Sequence, residues 1–263
     1  MGYKRRELHF PRVIEVWEYH DARYGAPGAK RRKRRKPTPE EMKRQNQRAR
    51  ERKVRWMLRE HFEEADCFVL LTYRQADRPE SMEQCSKDWE VCRRKLKRLY
   101  QKAGIEFKWI SNIEVGCRGA WHIHAVLKNV PDLIKALQKH WGKPHGGVVI
   151  KPMWSEGEFS QLAAYLVKTP ETDKRLVDAK ASHSRNMPIP EPKERTYTRW
   201  KTFEGRDPRN LPAGWRIDKD SLEEGFTRMG YPFRRYDLYP IGEPGERKRQ
   251  KMIMPGQITD LGD

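Results

Sequence analysis

The sharpest chemical pattern in the sequence is His122-Ile123-His124. It sits in the run Trp121 to Leu127 (WHIHAVL), which suits a β-strand. On a strand, residues i and i+2 point to the same face. The two imidazoles therefore project together, and Ile123 and Ala125 turn to the opposite layer. Two adjacent imidazoles in polar surroundings suit a divalent metal. Upstream, Phe107 to Val115 alternates, with Trp109, Ile113 and Val115 on one side and Ile110, Asn112 and Glu114 on the other. Gly116-Cys117-Arg118-Gly119 reads as the turn between the two strands. A hairpin centred on Arg118 places Glu114 opposite His122, on the same face. An isolated His-x-His on a half-exposed strand reads as an ordinary polar face; Glu114 at this register favours a two-histidine, one-carboxylate metal site.

The second pattern is Tyr165 with Lys168. Ser155-Glu156-Gly157-Glu158 has the form of a capping box and opens a helix that Pro170 stops. Phe159, Leu162, Ala163 and Leu166 make its apolar stripe. At about 100° per residue, Tyr165 falls roughly 110° from the middle of that stripe, on the side of Gln161 and Lys168. A phenol is a weak nucleophile until it loses its proton, and a nearby ammonium or a polarised phosphate favours that loss. A boundary tyrosine beside a surface lysine has the same spacing.

The elements that must position these residues follow from periodicity. Cys67 to Tyr73 (CFVLLTY) is a continuous apolar run, expected as a central strand. Ser81 to Gly104 carries Met82, Cys85, Trp89, Cys92, Leu96 and Leu99 on one helical face. A helix over about Asp132 to His140 and a short strand at Val148 to Ile150 come next. The order β-α-β-β-α-β-α predicts an α+β fold, a ferredoxin-like or RRM-like antiparallel sheet with helices packed on one face. Basic extensions flank it. Before it, Thr38-Pro39-Glu40-Glu41 forms another capping box, opening a very polar helix through Arg59. Beyond Thr196 the chain shows no clear period.

Composition narrows the partner. The 263 residues hold 56 Lys and Arg against 37 Asp and Glu, a formal net charge of +19. Residues 1–61 hold 20 basic and 8 acidic side chains, and the rest hold 36 and 29. The excess sits mostly ahead of the predicted sheet. With a mean hydropathy of −1.03 and no apolar run near the roughly 18 residues of a membrane span, a membrane role is not expected. The first residues lack the form of a signal peptide, and four cysteines without a CxxC pair fit a reducing compartment. A cytoplasmic protein with a polyanionic partner is the expectation.

Taken in order, the strand ending Leu71-Thr72-Tyr73, Glu114, His122-Ile123-His124 and Tyr165-Leu166-Val167-Lys168 resemble the HUH (His-hydrophobic-His) endonucleases that initiate rolling-circle replication, in particular the replication proteins grouped with the filamentous-phage gene II protein. Ser184-Arg185 resembles a Ser-Arg element that follows the catalytic helix in that group. The resemblance covers about Cys67 to Asn186. It implies that His122, His124 and Glu114 bind Mg²⁺ or Mn²⁺, that Tyr165 attacks a phosphodiester to leave a 5′-phosphotyrosine and a free 3′-OH, and that Lys168 assists. The helix has no second tyrosine, which reads as a single-tyrosine enzyme. The chain has no GxxxxGK[ST] loop, so a host helicase is the expected partner beside single-stranded or origin DNA.

The expected organisation is a basic arm and charged helix over 1–64, an endonuclease domain over 65–190 and a basic, aromatic extension over 191–263. Tyr73, Arg74, Arg78 and Arg185 are candidate DNA contacts. So is the run Lys30, Arg31, Arg32, Lys33, Arg34, Arg35 and Lys36, through counterion release. Phe233-Arg234-Arg235-Tyr236 suits stacking on unpaired bases and equally a small packing layer. A relaxase or transposase would use the same chemistry. A non-catalytic nucleic-acid-binding module would need stacking aromatics on the open sheet face, where Glu114 and the two histidines stand instead.

Overall fold

A computed structural model describes residues 3–20, 36–116, 119–153, 159–167, 176, 181–197, 208, 211–226 and 232–242. The first strands are β1 (Tyr3–His9) and β2 (Ile14–His20), followed by helix α1 (Pro39–His61). Then come β3 (Cys67–Thr72), α2 (Met82–Lys102), β4 (Trp109–Val115), β5 (Trp121–Leu127), α3 (Leu133–Leu137) and β6 (Val148–Pro152). The chain continues through α4 (Ser160–Val167), β7 (Ser182–His183), β8 (Lys193–Tyr197), β9 (Trp215–Phe226) and β10 (Pro232–Pro240). Contacts divide the chain into two compact units. Of the described residues, one comprises those up to Lys43 together with those from Ile189 on, the other those from Arg44 to Pro188.

The second unit is the α+β sheet that periodicity predicts. Its strands run antiparallel in the order β6-β3-β5-β4-β7. The βαββαβ stretch from β3 to β6 therefore has the split arrangement of a ferredoxin-like fold. Alternation sorts the strand residues. Val69 and Leu71, Ile113 and Val115, and Ile123 and Ala125 join one core with Cys85, Trp89, Cys92 and Leu96 of α2 and Leu133 and Leu137 of α3. Each large apolar side chain buried in this way contributes about 1.5–3 kcal/mol. Trp89 also donates its indole N–H to Ser111 Oγ at 3.0 Å, tying α2 to the sheet. Ser81 caps α2 by accepting from the Gln84 amide at 3.2 Å, and Gly104 at φ +67° follows its end. That left-handed conformation costs glycine little.

The opposite face of the sheet carries Phe68, Leu70 and Thr72 beside His122, His124 and Val126, and then Glu114, Asn112 and Ile110. Helix α4 packs against β4 and reaches this face rather than the α2 face, since Tyr165 meets Phe68 and His124. Leu162, Ala163, Leu166 and Val167 of α4 are buried. The capping box predicted before α4 lies outside the described residues. The one before α1 forms, with Glu41 N–H donating to Thr38 Oγ1 at 3.2 Å and Thr38 N–H to Glu41 Oε2 at 2.9 Å. Helix α1 is polar in its first half, but Val54, Met57 and Leu58 are buried. Gln47 donates to the Val167 carbonyl at 3.2 Å, which ties α1 to α4.

The first unit is an antiparallel sheet in the order β8-β1-β2-β10-β9. It joins strands from both ends of the chain. Tyr236 and Leu238 pack on Ile14 and Val16 in a small core. Arg234 is buried on that face and Arg235 on the other, so this aromatic-cationic tract forms a packing layer. Among the described residues, no helix is long and apolar enough to cross a membrane. Cys67, Cys85 and Cys92 are free and buried.

Candidate active site

Hairpin register builds the site. Strands β4 and β5 pair so that Glu114 stands opposite His122 and Asn112 opposite His124. The turn closes with Gly116 N–H on the Ala120 carbonyl at 2.8 Å and Gly119 at φ +67°, the left-handed region that favours glycine. Glu114 Oε2 lies 3.4 Å from His122 Nε2 and 3.5 Å from His124 Nε2. The possible ligand atoms of the three residues all lie within 4.8 Å of one another.

The surrounding hydrogen bonds orient these atoms. His122 Nδ1 lies 3.2 Å from the Ala120 carbonyl. A carbonyl only accepts, so Nδ1 carries the proton, and in the neutral ring the Nε2 lone pair faces Glu114. Asn112, 2% exposed, donates to Glu114 Oε1 at 3.2 Å and leaves Oε2 turned to the imidazoles. A carboxylate oxygen and a ring lone pair then face each other, an arrangement that calls for a cation between them. Ligand atoms about 2.1 Å from one ion stand about 3 Å apart when at right angles. The observed spacing is slightly wider, and a small closure meets it. The donor set therefore fits a divalent cation and leaves coordination positions for other oxygens.

Burial sharpens the electrostatics. Desolvation acts to raise the Glu114 pKa, but His122 and His124 outweigh it: in their protonated form both rings donate to and charge-pair with the carboxylate, which takes it down to about 2. Burial lowers the His124 pKa, against the pull of Glu114. His124 is 1% exposed and stacks on Phe68 with centroids 5.7 Å apart. Tyr165 presents its hydroxyl 2.9 Å from His124 Nε2. Burial, and then the charge of Glu114, raises the phenol pKa, so the phenol stays protonated beside the unneutralised carboxylate.

The other predicted site residues fall elsewhere. Lys168 and Lys30 to Arg35 lie outside the described residues, and Lys36 is exposed just before α1. Tyr73 is 6% exposed and joins the core on the α2 side, with its hydroxyl donating to Asp88 at 3.1 Å. Arg74 donates to the carbonyls of Lys143 at 3.0 Å and Pro144 at 2.9 Å and pairs with Asp77 at 2.6 Å, so it holds a turn to the end of β3. Arg78 is half-buried and Arg185 exposed. Arg185 follows Ser184, whose amide bonds the Trp109 carbonyl at 3.0 Å. That is the far end of β4, about 17 Å from Glu114 at the rise of a strand. Asn112 and Phe68 are site neighbours that residue type alone did not single out. Their signal is the period of two that puts them on the face of the triad.

Residues 66–170 match the family model of replication-associated protein ORF2/G2P. The match includes Glu114, His122, His124 and Tyr165 and lies wholly within the second unit. It supports a rolling-circle replication-initiator family and a role in DNA replication. No curated protein and no solved structure matches the chain.

Proposed function

We propose that the chain is a metal-dependent endonuclease and strand transferase that nicks and rejoins single-stranded DNA at an origin, initiating rolling-circle replication. One observation carries the reading: the Tyr165 hydroxyl meets His124 at the edge of the Glu114, His122 and His124 cluster. A lone structural metal site would not need a tyrosine 41 residues downstream aimed into it.

In this reading His122, His124 and Glu114 hold Mg²⁺ or Mn²⁺. When bound, the ion supplies charge that polarises the scissile phosphate and stabilises its developing negative charge. The Tyr165 oxygen forms a bond to phosphorus as the bond from phosphorus to O3′ breaks. The phenol loses its proton and the departing 3′ oxygen gains one. The product is a 5′-phosphotyrosine and a free 3′-OH, and the reverse attack reseals the strand without ATP. Asn112 holds the Glu114 carboxylate, Phe68 holds the His124 ring, and Lys168, three residues after Tyr165 in the sequence, assists. Unwinding is left to a host helicase. Neutralising Glu114 favours ionisation of Tyr165, because that carboxylate is one of the causes raising its pKa.

The test is incubation with a pool of single-stranded oligonucleotides and Mn²⁺, followed by denaturing gels. The wild type forms a denaturant-resistant adduct that maps to Tyr165, and Tyr165→Phe forms none. An undiminished adduct in Tyr165→Phe removes that residue from the role.

A further inference from the structure

The helical side of the second unit carries a feature that the triad does not use. The acidic residues of α2, Glu83, Asp88 and Glu90, lie in its first half, and from Arg93 to Lys102 it carries six cations and no acid. The helix dipole favours cations only in the last turn. Lys95 and Arg98, three apart, and Arg98 and Lys102, four apart, repel one another at helical spacing. They face α3 across a groove of about 490 Å³, lined also by Lys135, Lys139 and His140. The one acidic residue in the lining, Asp132, is taken by Lys135 at 2.8 Å. Among the described residues, Lys95, Arg98, Lys102 and Lys139 have no carboxylate within 4.0 Å. By contrast, Lys87 in the first half of α2 pairs with Glu83 at 2.8 Å. Burial, then Lys95 and Lys139, lowers the His140 pKa, in keeping with a positive groove.

We propose that this groove between α2 and α3 binds the phosphate backbone of the DNA on which the chain acts, on the side of the sheet opposite Glu114 and His124. The identity of the polyanion rests on the proposed function; the groove itself does not. Its walls are Lys95, Lys102, Lys135, Lys139, Arg98 and His140 over the apolar Leu99 and Ala136, so cations dominate the lining. Such a surface grips charge without reading sequence. DNA held there is anchored by a segment distinct from the one being cut. Binding thus couples to two faces of one small unit.

The experiment compares the full chain with the variant K95Q/R98Q/K102Q/K139Q and with the control K87Q, without divalent metal, on single-stranded and duplex DNA over a range of salt. Each lost phosphate contact flattens the plot of log affinity against log salt by about 0.9 on duplex. We expect the fourfold variant to lose up to about 3.6 in slope on duplex and at least about tenfold in affinity at low salt, equally for matched and scrambled sequences, with K87Q unchanged. In the unaltered chain, DNA should protect Lys95, Lys102 and Lys139 from acetylation while Lys87 stays reactive. Unchanged slope and affinity, equal acetylation, or protection by phosphatidylserine vesicles in place of DNA would overturn the groove assignment. A Tyr165 adduct together with an unchanged slope removes the groove and leaves the endonuclease. The expected slope change without any strand cleavage does the reverse.

Discussion

Both five-stranded sheets bury charge, and they resolve it in opposite ways. In the first unit, Arg5, Glu18 and Arg234 form a row across β1, β2 and β10. Glu18 pairs with Arg234, and with Arg5 at 3.9 Å, while Arg5 also pairs with Glu7 at 2.8 Å. On the other face Arg235 bonds Asp237 at 3.0 Å and Glu15 at 3.4 Å. Each carboxylate named here has a guanidinium. In the second unit Glu114 faces the imidazoles of His122 and His124 and, among the described residues, no guanidinium or ammonium. The first arrangement is closed and structural. The second is left one cation short, which is what a metal site requires and what a folding core avoids.

The largest effects should separate these two designs. Replacing His122 and His124 by Ala should lower metal-dependent cleavage by about 10³-fold or more, some 4 kcal/mol of barrier. DNA affinity measured without metal should stay within about threefold. Cleavage that survives the double replacement would place the reaction elsewhere. In the first unit, Glu18→Ala takes the close carboxylate from buried Arg234 and the more distant one from Arg5, which keeps Glu7, and should cost about 3 kcal/mol. Amide hydrogen exchange in β2 and β10 would register the loss, while Tyr165 adduct formation on a short oligonucleotide persists. Exchanging Arg5, Glu18 and Arg234 together for apolar residues should cost much less, since no buried charge remains in that row. Equal costs for the single and triple variants would mean that the row does not act as paired charge.

The same contrast explains what the sequence made legible. In the second unit, apolar residues recur every second position in β4 and β5 and every third or fourth in α2. The strands, the helix and the opposition of Glu114 to His122 followed from those periods. In the first unit, β1 (YKRRELH) buries Arg5 against Glu7 and Glu18, and β10 (PFRRYDLYP) buries Arg234 and Arg235 against Glu18 and Glu15 from the far end of the chain. A period built from buried Arg and Glu looks polar until the pairing is known. For the site, the angle of Tyr165 to its stripe marked it as a flank residue. Nothing local told which face of the sheet α4 would meet, because its contact with His124 spans 41 residues. Arg74 likewise looked like a free cation, although its partners are backbone carbonyls of a turn about 70 residues on.

Two smaller changes sharpen the comparison within one strand, since Asn112 and Ser111 are neighbours on opposite faces of β4. Asn112→Ala removes the donor on Glu114 Oε1 and frees the carboxylate to turn. Metal affinity, measured by titration, should fall about 10- to 100-fold, with only a small loss of stability. An unchanged affinity would mean that β4 alone orients Glu114. Ser111→Ala takes the acceptor from the Trp89 indole in the core and should cost about 1–2 kcal/mol of stability as the buried N–H goes unsatisfied. Metal affinity should not change, because the site face keeps every partner. If Ser111→Ala weakened metal binding as much as Asn112→Ala, the two faces of the strand would not be independent, and the triad's geometry would depend on the α2 core rather than on hairpin register.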